Sequence, residues 1–251
     1  MEQSMTKWRQ IADALREKIE AGEYRPGQRL PTEPELQEQY DVSRNTVRQA
    51  VSSLVAEGLL LVERGQGTRV RPRSEVRRLA RSRLSREERK QGRGAFLSDA
   101  TQAGFTPSVQ VRVSVGQADT RTAELLQIAE GDSVLRRERI MSADGRPMQL
   151  ATSQLPRSIT HGMQIEEEES GPGGTYARLE EAGHHLSHFV EEVAVRMPSA
   201  AEVETLQLLP GTPVFAITRI AYAGSPAKPV ELNDIVLAGD QVRLVYEIPA
   251  E

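Results

Sequence analysis

The chain has 251 residues, no cysteine and a formal net charge of -4, which excludes disulfides and thiolate metal sites and suits a reducing compartment. No apolar run approaches the roughly 20 residues of a membrane span, and the opening residues MEQSMTKWRQ lack the apolar centre of a signal peptide. A soluble, cytoplasmic protein that meets no membrane is expected.

Between Thr6 and Ala21 the apolar residues Trp8, Ile11, Ala12, Leu15 and Ile19 recur at helical spacing, and Gly22 ends the helix. Pro26, Gly27 and Pro31 then make a turn-rich connector. Thr32 opens a second helix that runs to about Tyr40, with Glu35 completing a capping box. Ser43 is placed to cap a third helix, closed by Gly58. On that helix Val47, Ala50, Val51 and Leu54 form a core stripe. The opposite side holds Arg44, Asn45, Arg48, Gln49 and Ser52, with no acid between Asp41 and Glu57. A solvated face more often mixes Glu with Lys. Arg, Asn and Gln can instead make paired hydrogen bonds to the edge of a guanine or adenine. These residues alone leave a base-reading helix and an ordinary polar surface equally open. Two strand-like runs around RGQG follow and read as a hairpin. Three helices and a hairpin are the order of a winged helix-turn-helix, here residues 1–72.

Residues 71–93 carry 10 basic and 3 acidic side chains. They read as a basic linker, 73–93, partly helical, solvated, and with arginines placed to touch phosphates. Charge effects are local, being screened within roughly 8 Å, so the acidic balance of residues 94–251 does not veto DNA contact by the N-terminal third. That second region alternates apolar and polar positions at Val109, Val111, Val113 and Val115, a half-buried strand. A short helix, two strands around Ala143-Asp144-Gly145, a helix in TYARLEEAG and a strand in SHFVEEVAVRMP come next. A helix in SAAEVETLQLL, two strands around a turn and a closing strand in VRLVYEIP complete the chain. The fold class is α+β on a mainly antiparallel sheet. AELLQIAEGDSVLRRERIMSADGRPM and VETLQLLPGTPVFAITRIAYAGSPAKPV share one order of helix, glycine turn, strand, turn and proline. The sheet is therefore expected to have two related halves with a cleft between them. Glu166–Glu169 read as a solvated loop, and His184, His185 and His188 lack the carboxylate pattern of a metal site.

From Trp8 to Val70 the chain resembles the DNA-binding domain of the GntR family of bacterial transcription regulators, through IADALREKIEAGEYRPGQRLPTEPEL, YDVSRNTVRQAVSSLVAEGLL and RGQGTRV. The remainder resembles the UTRA ligand-sensing domain of the HutC-type branch, whose fold is chorismate-lyase-like. That resemblance runs through GDSVLRRERIMSADGRPMQL, GTYARLEEAG, LLPGTPVFAITRIAY and VELNDIVLAGDQVRLVYE. It implies that Arg44, Thr46 and Arg48 meet bases and phosphates in the major groove. Ser43, Asn45 and Gln49 complete that set, and the wing tip Arg64, Gly65, Gln66 and Gly67 approaches the minor groove, whose negative potential attracts arginine. Many relatives carry an arginine where Pro34 stands, which implies one lost contact and a shifted operator preference.

Relatives that bind phosphorylated sugars use two alternating arginines, a small hydroxyl residue, an acid and a tyrosine. Arg139 fits the first arginine, Thr175 the hydroxyl and Glu231 the acid, while Met141 and Leu237 stand at the second arginine and the tyrosine. Those losses weaken a phosphate grip and favour a less charged, more apolar effector. Arg137 shares a strand face with Arg139 and either lines a cleft or pairs structurally. Phe96 either closes over the ligand or belongs to the core. The reading is a dimeric, effector-controlled repressor on a near-palindromic double-stranded operator, without cofactor. A constitutive regulator whose C-terminal half only dimerises is the alternative. A lyase-like enzyme lacks any nucleophile constellation, phosphate-binding glycine loop or metal set.

Overall fold

The apolar stripe of the first helix seeds the N-terminal core. In the computed structural model, which describes residues 6–63, 65, 67–71, 76–79, 84, 85, 87 and 95–246, helix α1 (Lys7–Glu20) buries Ile11, Ala12 and Leu15. They pack with Leu36 of α2 (Glu33–Tyr40) and with Val47, Ala50, Val51 and Leu54 of α3 (Arg44–Ala56). The Glu35 carboxylate accepts from the N–H and hydroxyl of Thr32 at 2.7 and 2.8 Å, and Pro34 is accommodated in the first turn of α2, where no helical N–H bond is lost. Asp41 ends α2 in the left-handed conformation at φ 49°, turning the chain sharply. The Ser43 hydroxyl then accepts from the N–H of Thr46 at 3.3 Å and starts α3. Strands β1 (Leu60–Glu63) and β2 (Gly67–Val70) pair antiparallel as the expected hairpin.

The chain divides into two units, Met1–Ser74 with Leu208–Thr212 and Glu75–Gln207 with Pro213–Glu251. Within the stretch expected to be a partly helical linker, Val76–Leu79 forms strand β3, which pairs in parallel with β10 (Val242–Val245). Strand pairing needs only backbone donors and acceptors, so arginine-rich composition does not forbid it. Most of the remaining linker lies outside the described residues.

A six-stranded antiparallel sheet in the order β4-β5-β6-β9-β8-β7 organises the second unit. Its strands are β4 (Pro107–Gln117), β5 (Ser133–Ala143), β6 (Arg146–Pro156), β7 (Leu186–Arg196), β8 (Val214–Ala223) and β9 (Lys228–Ala238). Helix α4 (Ala95–Ala103), absent from the sequence expectation, precedes β4, and α5 (Thr120–Leu126) precedes β5. The short α6 (Arg157–Thr160) and a 3-10 turn (Gln164–Glu166) lead to α7 (Gly174–Glu181), and α8 (Ala200–Thr205) precedes β8. The runs β4-α5-β5-β6 and β7-α8-β8-β9 thus repeat one order and meet at the β6–β9 pair. The related halves expected from the sequence are present in this topology.

Alternation sorts the side chains between the two faces of the sheet. Val134 and Leu232 pack beneath α5 with Ala123 and Leu126. Leu135 and Leu155 face the other way and pack with Ile165 and Leu179. Strand β4 is less buried than its alternation suggests, because it is an edge: Val109 and Val115 are 41% and 51% exposed.

Candidate functional site

Helix α3 presents Arg44, Asn45, Arg48, Gln49 and Ser52 to solvent, while Ser43 and Thr46 bond to each other through their hydroxyls at 2.9 Å. Asn45, Arg48, Gln49 and Ser52 line a shallow groove shared with Trp8 and Ser53. The face is not free of acid, as the sequence of the helix alone suggests. Glu33, at the start of α2, accepts from Nε of Arg44 at 2.7 Å and from Nε of Arg48 at 3.0 Å. Those bonds, Arg44 first, hold the Glu33 carboxyl below the ordinary carboxylate range. Both arginines stay more than half exposed, and among the described residues their terminal nitrogens have no protein partner. Gly65 and Gly67 are exposed with φ of 78° and 85°, a conformation that opens the hairpin tip to close approach. Arg64 and Gln66 lie outside the described residues.

The second site is a cavity of about 590 Å³ on one face of the large sheet. Its floor joins Val111 of β4, Arg137, Arg139 and Met141 of β5, Ala151 of β6 and Glu231 and Asn233 of β9. Phe96 and Leu97 of α4 and the segment from Glu168 to Tyr176 complete the lining. All five residues expected to bind an effector, Phe96, Arg137, Arg139, Thr175 and Glu231, line this one cavity.

Their environments separate them. Arg137 is 2% exposed and donates to the carbonyls of Ile165 at 2.6 Å and Glu168 at 2.9 Å, and also to that of Glu167. The run Glu166–Glu169 is therefore more than a solvated loop, because its backbone closes around a buried cation while the side chains of Glu167–Glu169 remain exposed. Burial, with the neighbouring Arg139 charge, pushes Arg137 down to about 10. Arg139 donates to the hydroxyl of Ser153 and, at 3.4 Å, to the Asn233 side-chain oxygen. Burial lowers its pKa against the opposing pull of Glu231. Glu231 is 1% exposed, and its Oε2, like Nε of Arg139, has no hydrogen-bond partner among the described residues. Phe96 belongs to the core, packing with Met141, Ile235 and Leu237, and also lines the cavity. Leu237 is fully buried in that apolar cluster.

Two ionisable lining residues escape the sequence reading. Tyr176, next to Thr175, is held above the ordinary phenol range first by burial and then by Glu231. Arg219 donates from Nε to Glu191 at 2.7 Å. A lone arginine inside the apolar run FAITRIAY is the signal that could have found it. Strand register places Val113, Arg137, Ser153, Asn233, Arg219 and Glu191 in one row across all six strands. Among the described residues no group of His, Cys, Asp or Glu could hold a metal ion; His188 instead stacks on Tyr222 at 4.6 Å.

The two β5 arginines should respond differently to truncation. Arg137→Met strands buried carbonyls and is expected to cost about 3 kcal/mol. Arg139→Met removes a charge that forms no ion pair among the described residues and should cost under about 1 kcal/mol. Thermal unfolding of both variants beside the wild type tests this. Equal losses would mean that Arg139 is as structural as Arg137.

Comparison with known proteins matches the same two units. Residues 7–70 match the family described as bacterial regulatory proteins, gntR family, and residues 102–243 match the UTRA domain. An HTH-type transcriptional regulator of Streptomyces coelicolor is 34% identical over 85% of this chain and 82% of its own. The mannosyl-D-glycerate transport/metabolism system repressor MngR of Escherichia coli is 31% identical over 89% of this chain and 81% of its own. The crystal structure of PhnF from Mycobacterium smegmatis aligns with a TM-score of 0.61 at 25% identity, covering 98% of this chain and all of that one. These relatives are transcriptional regulators rather than enzymes. With both matches in order along its length, the chain belongs to the GntR family of bacterial transcription regulators, with a UTRA domain following the winged helix-turn-helix.

Proposed function

We propose that this regulator is a dimeric repressor built from a reading head at residues 1–72, a basic linker at 73–93 and an effector and dimerisation domain at 94–251. The observation that carries the reading head is the exposed set Arg44, Asn45, Arg48 and Gln49 on a single helix face. Side chains of these types can fork onto guanine and adenine edges in the major groove. Ser43, Thr46 and the wing from Arg64 to Gly67 supply the adjoining backbone and minor-groove contacts. Two heads related by a twofold axis suit a near-palindromic operator.

The cavity residues favour a particular effector chemistry. Arg219 is neutralised by Glu191 and Glu231 offsets one of the two β5 arginines, so with Glu168 and Glu169 exposed at the rim the inner part of the cavity keeps one positive charge. Buried charge is stable only when balanced. Arg139 therefore suits a singly charged acid, and Glu231 suits a hydroxyl or ammonium donor on the same molecule. A doubly charged sugar phosphate is the poorer match. Mannosyl-D-glycerate, the compound named in the Escherichia coli repressor, carries one carboxylate on a hydroxyl-rich body. An effector that binds preferentially to the DNA-incompetent arrangement would shift the population away from the operator.

Dimerisation is supported by β7, an edge strand of 11 residues. Val190, Val193 and Val195 are 48%, 39% and 63% exposed along it. An exposed apolar edge of that length is usually covered by another chain.

Gel shifts with DNA upstream of the protein's own gene, against random competitor, test the reading head. Arg44→Ala and Arg48→Ala should each cost about 1–3 kcal/mol at a specific site. Equal loss on specific and random DNA would contradict base reading. Any metabolite that raises the melting temperature of the wild type should fail to do so with Arg139→Met, and a retained shift would place the effector elsewhere. Val195→Glu should convert a dimer to monomer in sedimentation equilibrium; an unchanged dimer would move the interface off β7.

A further inference from the structure

The acid on the reading face has no place in the family of contacts expected of α3 itself. Glu33 comes from the first turn of α2, 11 and 15 residues before the two arginines it joins. Its two oxygens accept from Nε of both, Oε2 from Arg44 and Oε1 from Arg48. Nε is the inner nitrogen of a guanidinium. A carboxylate bound there fixes the plane of the group and leaves the outer nitrogens to fork onto a base edge. The carboxylate is itself 33% exposed, and its negative charge lies directly against both arginines.

We propose that Glu33 is a positioning residue for base reading: it aims Arg44 and Arg48 and suppresses their sequence-independent attraction to phosphate. It lowers affinity for DNA in general while raising the ratio between a preferred site and the rest. This rests on the reading of α3 as the base-contacting helix. Three arrangements of the same contact are physically distinct. A latch that DNA merely displaces lowers affinity for every sequence alike. A base contact by Glu33 itself, accepting from the amino group of a cytosine, persists without the arginines. A positioning carboxylate acts only through them.

The test uses the full-length chain and a randomised duplex library. Selection with the wild type yields its preferred site, and affinities for that site and for random DNA are then measured for wild type, Glu33→Gln, Arg44→Ala/Arg48→Ala and the triple variant. Glu33→Gln is expected to reduce the specific-to-random ratio about tenfold, the scale of one well-formed bidentate contact. Its random-DNA affinity should rise and its salt dependence steepen, because one more arginine charge becomes available to phosphates. Adding Glu33→Gln to the double arginine variant should leave the ratio unchanged. A loss on both DNAs accompanied by a lower melting temperature would reduce Glu33 to a helix-helix brace and overturn the proposal. An equal gain on both DNAs would identify a simple latch and also overturn it. A ratio that still falls in the triple variant would assign base reading to Glu33 directly. If the wild type enriches no sequence, the base-reading role of α3 itself is refuted, and the proposal with it; a clear wild-type site with an unaltered Glu33→Gln ratio refutes the proposal alone.

Discussion

Three guanidinium groups on one face of a six-stranded sheet set the terms for the C-terminal unit. Removing a guanidinium from water is costly unless each of its donors meets an acceptor. The chain answers that demand in three different ways and to different extents. Arg219 takes a carboxylate from the neighbouring edge strand, Glu191. Arg137 takes backbone carbonyls, and to supply them the segment after α6 must wrap inward at Ile165, Glu167 and Glu168. That wrapping carries the chain directly into the glycine-rich turn before α7, which delivers Thr175 and Tyr176 to the cavity. Arg139 takes only a hydroxyl and an amide oxygen. The loop that forms the cavity wall is thus a consequence of satisfying one arginine, and the chemistry inside the cavity is a consequence of incompletely satisfying another.

The reading head uses charge in a related way at its surface. Exposed ion pairs contribute little to stability, typically under about 1 kcal/mol each, so Glu33 is poorly explained as a stabilising brace. Its geometry makes better sense as constraint on orientation. Long flexible side chains lose rotamer entropy when they are fixed on a base. A carboxylate that already holds two of them restricts that freedom before DNA arrives. The short turn at Asp41 and Ser43 makes this possible by bringing the start of α2 against the start of α3.

What was legible in the sequence follows the range of the interactions involved. Thr32 with Glu35, and Ser43 with Thr46, are three residues apart, so their caps can be read directly from the chain. Strands announce themselves by alternation, and both halves of the sheet were visible in the repeated order of elements. Convergence of Arg139, Thr175 and Glu231 was reached only through resemblance, since they come from β5, α7 and β9. Strand β3 was hidden because its partner β10 is more than 160 residues away and the pairing is made by backbone. The carbonyl acceptors of Arg137 were hidden for the same reason: a carbonyl has no letter in the sequence. Glu33 does not show along α3 because the face is shared by two helices. Helix α4 carries a weak signal, Phe96 and Ala100 one turn apart, beside the charged linker.

The repeat itself explains why the cavity has a direction. Aligning GDSVLRRERI with GTPVFAITRI sets Arg139 against Arg219, and the following strands set Gln149 against Glu231 and Ala151 against Asn233. In the sheet Arg219 lies opposite Glu191 on its edge strand, while Arg139 lies opposite Val111 on the equivalent edge. One half therefore cancels its arginine with an acid from the edge, and the other leaves its arginine facing the cavity. The second exchange, Gln149 for Glu231, puts the only buried carboxylate among the lining residues on the opposite half from Arg139. Had the halves stayed identical, the site would offer either two balanced ion pairs or two open cations, and would grip a ligand equally in both orientations. Divergence at three pairs of positions instead places Arg139 and the buried Glu231 on opposite sides of the β6–β9 seam.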